Sequence, residues 1–192
     1  MHIRVINPTI TTSWEQEGLH TYERAARAGT QVSVVRLDWG TASIECYRDE
    51  ALVVPDILTK VVEAEQAGAD AVIIDCMGDP GLYAARELVE IPVVGPAQAS
   101  MHLAAMLGHR FSVLCLFDYD VASTEDQVTR YGLSAKLASV RGFNIPVLNL
   151  RDDVEAQEAA WIGIELHGVD PRQLQLLPFV DEADHILARF GI

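Results

Sequence analysis

Short apolar runs alternate along this chain with longer stretches in which apolar residues recur every three or four positions, the pattern of strands and helices in succession. Residues 2–6 form a first strand, and Glu15 to Ala28 a helix with Leu19, Tyr22, Ala25 and Ala26 on one side, ended by Gly29. Gln31 to Leu37 alternates as a second strand, and Pro55 to Ala67 forms a helix through Ile57, Leu58, Val61 and Val62, closed by Gly68. The run from Ala71 to Ile74 is too short for a helix and rich in β-branched residues, so it reads as a fully buried strand with Cys76 at its carboxyl end. Asp79 then suits a helix N-cap and Pro80 a first helical position, with Leu82, Ala85 and Leu88/Val89 as the apolar stripe.

Beyond that helix the pattern begins again. Pro92 to Gly95 is a short strand, Gln98 to Leu107 a helix, Arg110 to Leu116 a strand, and Thr124 to Tyr131 a helix ending at Gly132. Leu137 to Val140 and Pro146 to Leu150 read as strands, and Asp152-Asp153 caps a helix through about Leu166. Leu174 to Val180 is a strand that Pro178 restricts to an edge, and Asp181 to Phe190 a terminal helix. The order predicts an α/β fold of two similar lobes, residues 1–96 and 97–192, each a parallel sheet covered by helices, with ligand between them.

Charge narrows the function. With 14 Lys and Arg against 28 Asp and Glu, the chain carries a formal charge of -14, which argues against a nucleic-acid partner because phosphate binding needs clustered cations. No apolar run approaches the ~20 residues of a membrane span, and the amino terminus enters a strand without a secretory pattern, so a soluble, cytoplasmic protein is the expectation. Cys46, Cys76 and Cys115 form no C-x-x-C pair, and the six histidines are scattered, so free thiols and no metal are expected.

The candidate chemistry centres on Cys76. A thiol in a strand-to-helix turn stands among backbone N–H groups with no helical partner, which favour a thiolate or a bound oxyanion and predict a depressed thiol pKa. The same residue can equally be a small buried hydrophobe. The loop Asn7 to Ser13, including Thr11, offers hydroxyl and amide groups for a carboxylate or imide, or else caps the next helix. Ser43 and Cys46 follow the second strand and could reach the same rim.

With these residues placed, the chain resembles the aspartate/glutamate/hydantoin racemase superfamily, most closely its hydantoin and allantoin racemase branch. The resemblance rests on Val5-Ile6-Asn7-Pro8, Ala42-Ser43-Ile44-Glu45, Cys76-Met77-Gly78-Asp79-Pro80-Gly81-Leu82, Ile91-Pro92-Val93-Val94-Gly95, Met101-His102, Leu107 to Leu114, Arg130-Tyr131-Gly132-Leu133 and Leu137 to Arg141. These lie in order over about residues 3 to 155. It implies two pseudo-symmetric Rossmann-like lobes, no cofactor, a small-molecule substrate of hydantoin, allantoin or amino-acid type, and two cysteines facing each other across the substrate. One would remove a proton beside a carbonyl and the other return one to the opposite face. A homo-oligomer is expected from the apolar surface a shortened second lobe would leave.

By that resemblance Cys76 is the first cysteine, and Asn7, Gly78 and Asp79 hold the substrate's polar edge. No cysteine follows Cys115 in these 192 residues, so the second has no counterpart here and the second lobe reads as shortened. Cys115-Leu116 stands where the family carries Thr-Thr. Cys115 could supply a substitute thiol or substrate contact, although a strand cysteine is more often interior. His167 and His185 are weaker candidates for the missing acid. Three functions follow: a racemase with Cys76 as one acid/base, a cofactor-free decarboxylase needing one thiol, and a silent binding protein of the same fold.

Overall fold

Four short runs of β-branched residues come together as a parallel sheet because βαβ connections carry the chain back to the same edge each time. The structure, a computed structural model, describes residues 1–12, 14–142, 144–149 and 164–167. The first elements are β1 (His2–Asn7), α1 (Glu15–Ala25), β2 (Gln31–Arg36), α2 (Tyr47–Gln66), β3 (Ala71–Ile74), α3 (Leu82–Leu88), β4 (Val93–Val94) and α4 (Pro96–Leu107). Their strands lie in the order β2-β1-β3-β4, all parallel. Ile6, Val72, Ile74 and Val93 of the sheet meet Val53, Ile57, Val61 and Ala64 of α2 and Leu82 and Ala85 of α3 in one buried core. α1 packs along β2.

The remaining elements are β5 (Arg110–Cys115), α5 (Val121–Arg130), β6 (Leu137–Gly142) and β7 (Ile164–His167). They form a second sheet ordered β6-β5-β7, with β6 parallel and β7 antiparallel to β5. The chain divides into two compact units, Met1–Ser100 and Met101–Ile192, the division falling within α4 beyond the expected boundary at 96/97.

Three elements differ from expectation. Helix α2 starts at Tyr47, well before Pro55, which lies inside it. Asp49 and Glu50 in its first turn favour the positive end of the helix dipole, and Asp49 Oδ2 accepts the Glu45 N–H at 3.3 Å. The proline removes one backbone donor, a loss the buried stripe of Val53, Ile57 and Val61 outweighs. The expected strand from Pro146 contains instead a 3-10 turn over Val147–Asn149, closed by the Asn149 N–H on the Pro146 carbonyl at 3.0 Å. Ile164 to Leu166, expected to end a helix, belongs to β7, where the alternation of Ile164-Glu165-Leu166-His167 suits a strand on the open edge of β5. The expected elements at 174–180 and 181–190 lie outside the described residues.

Candidate active site

Strand order locates the site. From β1 the chain crosses to β2 on one side, then returns past β1 to β3 on the other, so the carboxyl ends of β1 and β3 frame the crevice where such sheets take ligands. Asn7 ends β1, and the residues after β3 are Asp75 and Cys76. The Asp75 N–H donates to the Ile6 carbonyl at 2.8 Å, which carries the ladder one residue past Ile74. Asn7 is 4% exposed; its Oδ1 accepts the Thr9 hydroxyl at 2.9 Å, while its Nδ2 is buried without a hydrogen-bond partner among the described residues.

Cys76 sits in a tight turn. Its N–H donates to the Ile74 carbonyl at 2.8 Å, its carbonyl accepts the Asp79 N–H at 2.9 Å, and the Gly78 N–H donates to its sulfur at 3.4 Å. The expected depressed thiol pKa is overturned. Burial of the sulfur pushes the Cys76 thiol up to about 12; the Gly78 N–H opposes this, and the negative charges of Asp79, Asp75 and Glu50 add to it. The helix that follows has only seven residues, and of the turn's amides Gly78 alone reaches the sulfur. Burial and the surrounding acids thus favour the neutral thiol of Cys76 over the thiolate.

Asp79 has a different task from the one its sequence position suggested. Gly81, at φ 70°, is the N-cap of α3, whereas Asp79, itself at φ 49°, turns its carboxylate across to the start of α4. There Oδ1 accepts the Ala97 N–H at 3.1 Å and Oδ2 the Gln98 N–H at 2.7 Å. Two helix-end donors are satisfied by one buried acid, 5% exposed. Gly95 allows this, since a side chain there would run into the carboxylate. Arg86 strengthens the junction by donating to the Val93 carbonyl at 2.9 Å and to Gln98 Oε1 at 2.8 Å. Asp79 therefore anchors the Cys76 turn to α4.

The other expected residues fall on the same sheet edge, because parallel strands all end there. Thr11 lies in the loop after β1 and Ser43 in the loop after β2, both partly buried. The two loops are joined by the Ile10 N–H on the Thr41 carbonyl and the Leu37 N–H on the Thr9 carbonyl, each at 3.0 Å. Thr41 Oγ1 is a second buried polar atom without a partner. Cys46 is exposed at the start of α2. Cys115 belongs to the other unit: it ends β5, is 7% exposed, and its thiol donates to the Phe117 carbonyl at 3.4 Å.

Sequence reasoning passed over Asp75 and its partner. Tyr22 of α1 donates its hydroxyl to Asp75 Oδ1 at 2.7 Å, and Gly18, one turn earlier, faces Oδ2. Burial raises the Asp75 pKa, opposed by the Tyr22 hydroxyl; burial and then the Asp75 charge raise that of Tyr22. An acid closing an apolar strand run was the available signal. Among the described residues no group of three or more His, Cys, Asp or Glu side chains could hold a metal ion.

Residues 3–166 match the family model described as Asp/Glu/Hydantoin racemase. The chain belongs to that family. Within it, the chain is 41% identical over 156 residues to a hydantoin racemase of Pseudomonas sp. (strain NS671), a match covering 81% of this chain and 63% of that protein. It is 39% identical over 158 residues to a hydantoin racemase of Rhizobium meliloti, covering 82% of this chain and 66% of that one. The fold matches the allantoin racemase from Klebsiella pneumoniae with a TM-score of 0.78 at 30% identity, over 85% of this chain and 71% of that structure. The chain thus spans somewhat under two thirds of the length of the hydantoin racemases it matches. No helix among the described residues is long and apolar enough to cross a membrane.

Proposed function

We propose that this chain carries out cofactor-independent racemisation of the hydantoin or allantoin type, with Cys76 exchanging a proton with a carbon beside a carbonyl. The observation that carries this reading is the placement of Cys76 just past β3 at the β1/β3 switch point, one residue after Asp75 and across the ladder from the end of β1, where the buried Asn7 amide stands with its unpartnered Nδ2. A carbonyl acidifies the neighbouring C–H; its proton passes to a base on the face away from Cys76, a group not assigned among the described residues, and leaves an enolate whose oxygen takes a hydrogen bond from Asn7 Nδ2. Cys76 then returns a proton to the carbon and is left as thiolate, and in the reverse direction that thiolate is the base. With its pKa pushed up to about 12, the resting sulfur is the acid of the pair. The free protein is accordingly set to take the enantiomer deprotonated from the face away from Cys76.

The test is a 5-substituted hydantoin or allantoin in deuterated water, followed by NMR for loss of the C–H signal and by polarimetry, against an enzyme-free control. Loss of rotation with deuterium in both enantiomers is expected, and Cys76→Ala should slow both at least ~100-fold. Exchange in neither enantiomer would leave a protein of this fold that only binds. The protonated thiol also suits a one-thiol decarboxylase, in which loss of carbon dioxide from a malonate supplies the carbanion and Cys76 protonates it. Carbon dioxide release from a disubstituted malonate without hydantoin exchange would establish that reading instead.

A further inference from the structure

Asp75 directly precedes Cys76 at the carboxyl end of β3. Ile6 and Ile74 are paired across the β1/β3 ladder and both point into the core, so the next residues, Asn7 and Asp75, are neighbours on the opposite face of the sheet, the face of α1. Tyr22 of α1 confirms the side by holding Asp75 Oδ1 at 2.7 Å. Oδ2 takes no hydrogen bond from a described residue, and the helix turn facing it is glycine, Gly18, where an added Cβ would lie 3.7 Å from that oxygen. Beside it, Asn7 Nδ2 is a donor without an acceptor on a side chain 4% exposed. A buried donor left unmade costs about 1–3 kcal/mol, which a ligand acceptor would recover.

A free acceptor next to a free donor on adjacent strands is the complement of an N–H beside a C=O. We propose that Asp75 and Asn7 together read the adjoining N–H and C=O of a neutral cyclic amide or ureide, and that the Asp75 carboxylate turns away substrates carrying a carboxylate of their own. This rests on the racemase reading of the Cys76 site and narrows its substrate class. The charges around the sulfur agree: those acting on it are Asp79, Asp75 and Glu50, all acidic. Among the described residues, Arg36, in register with Asn7 on β2, is engaged by Glu15 at 3.1 Å and by the carbonyls of Ile10 and Leu37, and Arg48 in the first turn of α2 by Asp49 at 2.8 Å. Tyr22 keeps the carboxylate in place as a positioning residue.

The test uses two alkylating agents of nearly equal size, neutral iodoacetamide and anionic iodoacetate, with the modified Cys76 peptide quantified by mass spectrometry at pH 9. Both need the thiolate, so the ratio of their rates cancels the thiol's own pKa and reports the charge an incoming group meets. The wild-type ratio at Cys76 should exceed that of 2-mercaptoethanol, and Asp75→Asn, or Asp75→Ser where the first variant does not fold, should lower it by roughly fivefold, the effect of removing one charge a few ångströms away. Raising the salt concentration should narrow the wild-type ratio. In a second arm, a 5-substituted hydantoin should protect wild-type Cys76 from iodoacetamide while the corresponding ring-opened N-carbamoyl amino acid does not, and Asn7→Ala should weaken the protection. A wild-type ratio equal to that of 2-mercaptoethanol, or one unchanged by Asp75 substitution, overturns the proposal. Hydantoin exchange with an unchanged ratio would sink this inference and leave the racemase reading standing; a shifted ratio without exchange would do the reverse.

Discussion

Cys76 lies just past β3 and Cys115 ends β5, yet their surroundings treat the two sulfurs differently. After β3 the chain turns through Gly78, whose N–H points at the sulfur, so Cys76 is an acceptor at a sheet edge lined with polar groups. After β5 the chain presents the Phe117 carbonyl, to which the buried Cys115 thiol donates at 3.4 Å, while Thr124 of α5 hydrogen-bonds its sulfur. Burial raises both pKa values. On the proposed reading, what separates Cys76 from Cys115 is the Gly78 N–H that the next turn offers and the switch point the sheet has at that strand.

The sharpest way to break this contrast is to remove each thiol. Cys76→Ala should reduce deuterium exchange by ~100-fold or more, and Cys115→Ala should leave it within about threefold, as expected if only the first transfers a proton. Equal losses would place both cysteines in the chemistry. Next in size is the anchor beneath Cys76. Gly95→Ala displaces the Asp79 carboxylate from the Ala97 and Gln98 amides and should cost about 2–4 kcal/mol in urea unfolding, whereas Asp79→Asn should cost about 1–2 kcal/mol.

A third prediction concerns pH. The Cys76 thiol is raised from 9.0 to about 12 in the folded chain, so between those values the unfolded chain gives up its proton first. Proton loss then favours unfolding, and stability should fall as pH rises from about 9 to about 12. Cys76→Ala should remove that part of the alkaline slope, measured as Tm against pH, while an unchanged slope would mean the sulfur is not held as a neutral thiol. The smallest effect belongs to the second unit, where the Ser112 and Ser139 hydroxyls bond across β5 and β6 at 2.8 Å. Ser139→Ala should cost only about 0.5–1 kcal/mol and leave exchange untouched.

Much of the architecture was legible because hydrophobic periodicity reports burial directly. The β-branched runs at Val5-Ile6 and Val72-Ile73-Ile74 read as interior strands, and the stripe Ile57, Leu58, Val61, Val62 as a packed helix face. Pro55 misled as a helix start, since a proline looks the same at a first turn as inside a helix that tertiary packing sustains. Ile164 to Leu166 misled for a related reason: four residues carry too little periodicity to tell strand from helix until a sheet edge recruits them.

The site was half legible. Cys76 stood out through its place after a strand, and Asn7, Thr11 and Ser43 through theirs. Asp79 was recognisable as a capping residue, but the helix it caps begins beyond the intervening α3 and β4, and only the left-handed turn at Asp79 and the space over Gly95 direct it there. Asp75 was hidden in an apolar run.

The order of strands and helices, the family, and the thiol at the end of β3 were written in the amino-acid sequence, because alternation and turn residues are local and survive without knowledge of the fold. The charge state of that thiol, the pairing of Tyr22 with Asp75, and the adjacency of Asp75 to Asn7 were decided by tertiary structure alone. Residues separated along the chain become neighbours only when the sheet closes its ladder, and electrostatic energies depend on those distances and on the water displaced between them.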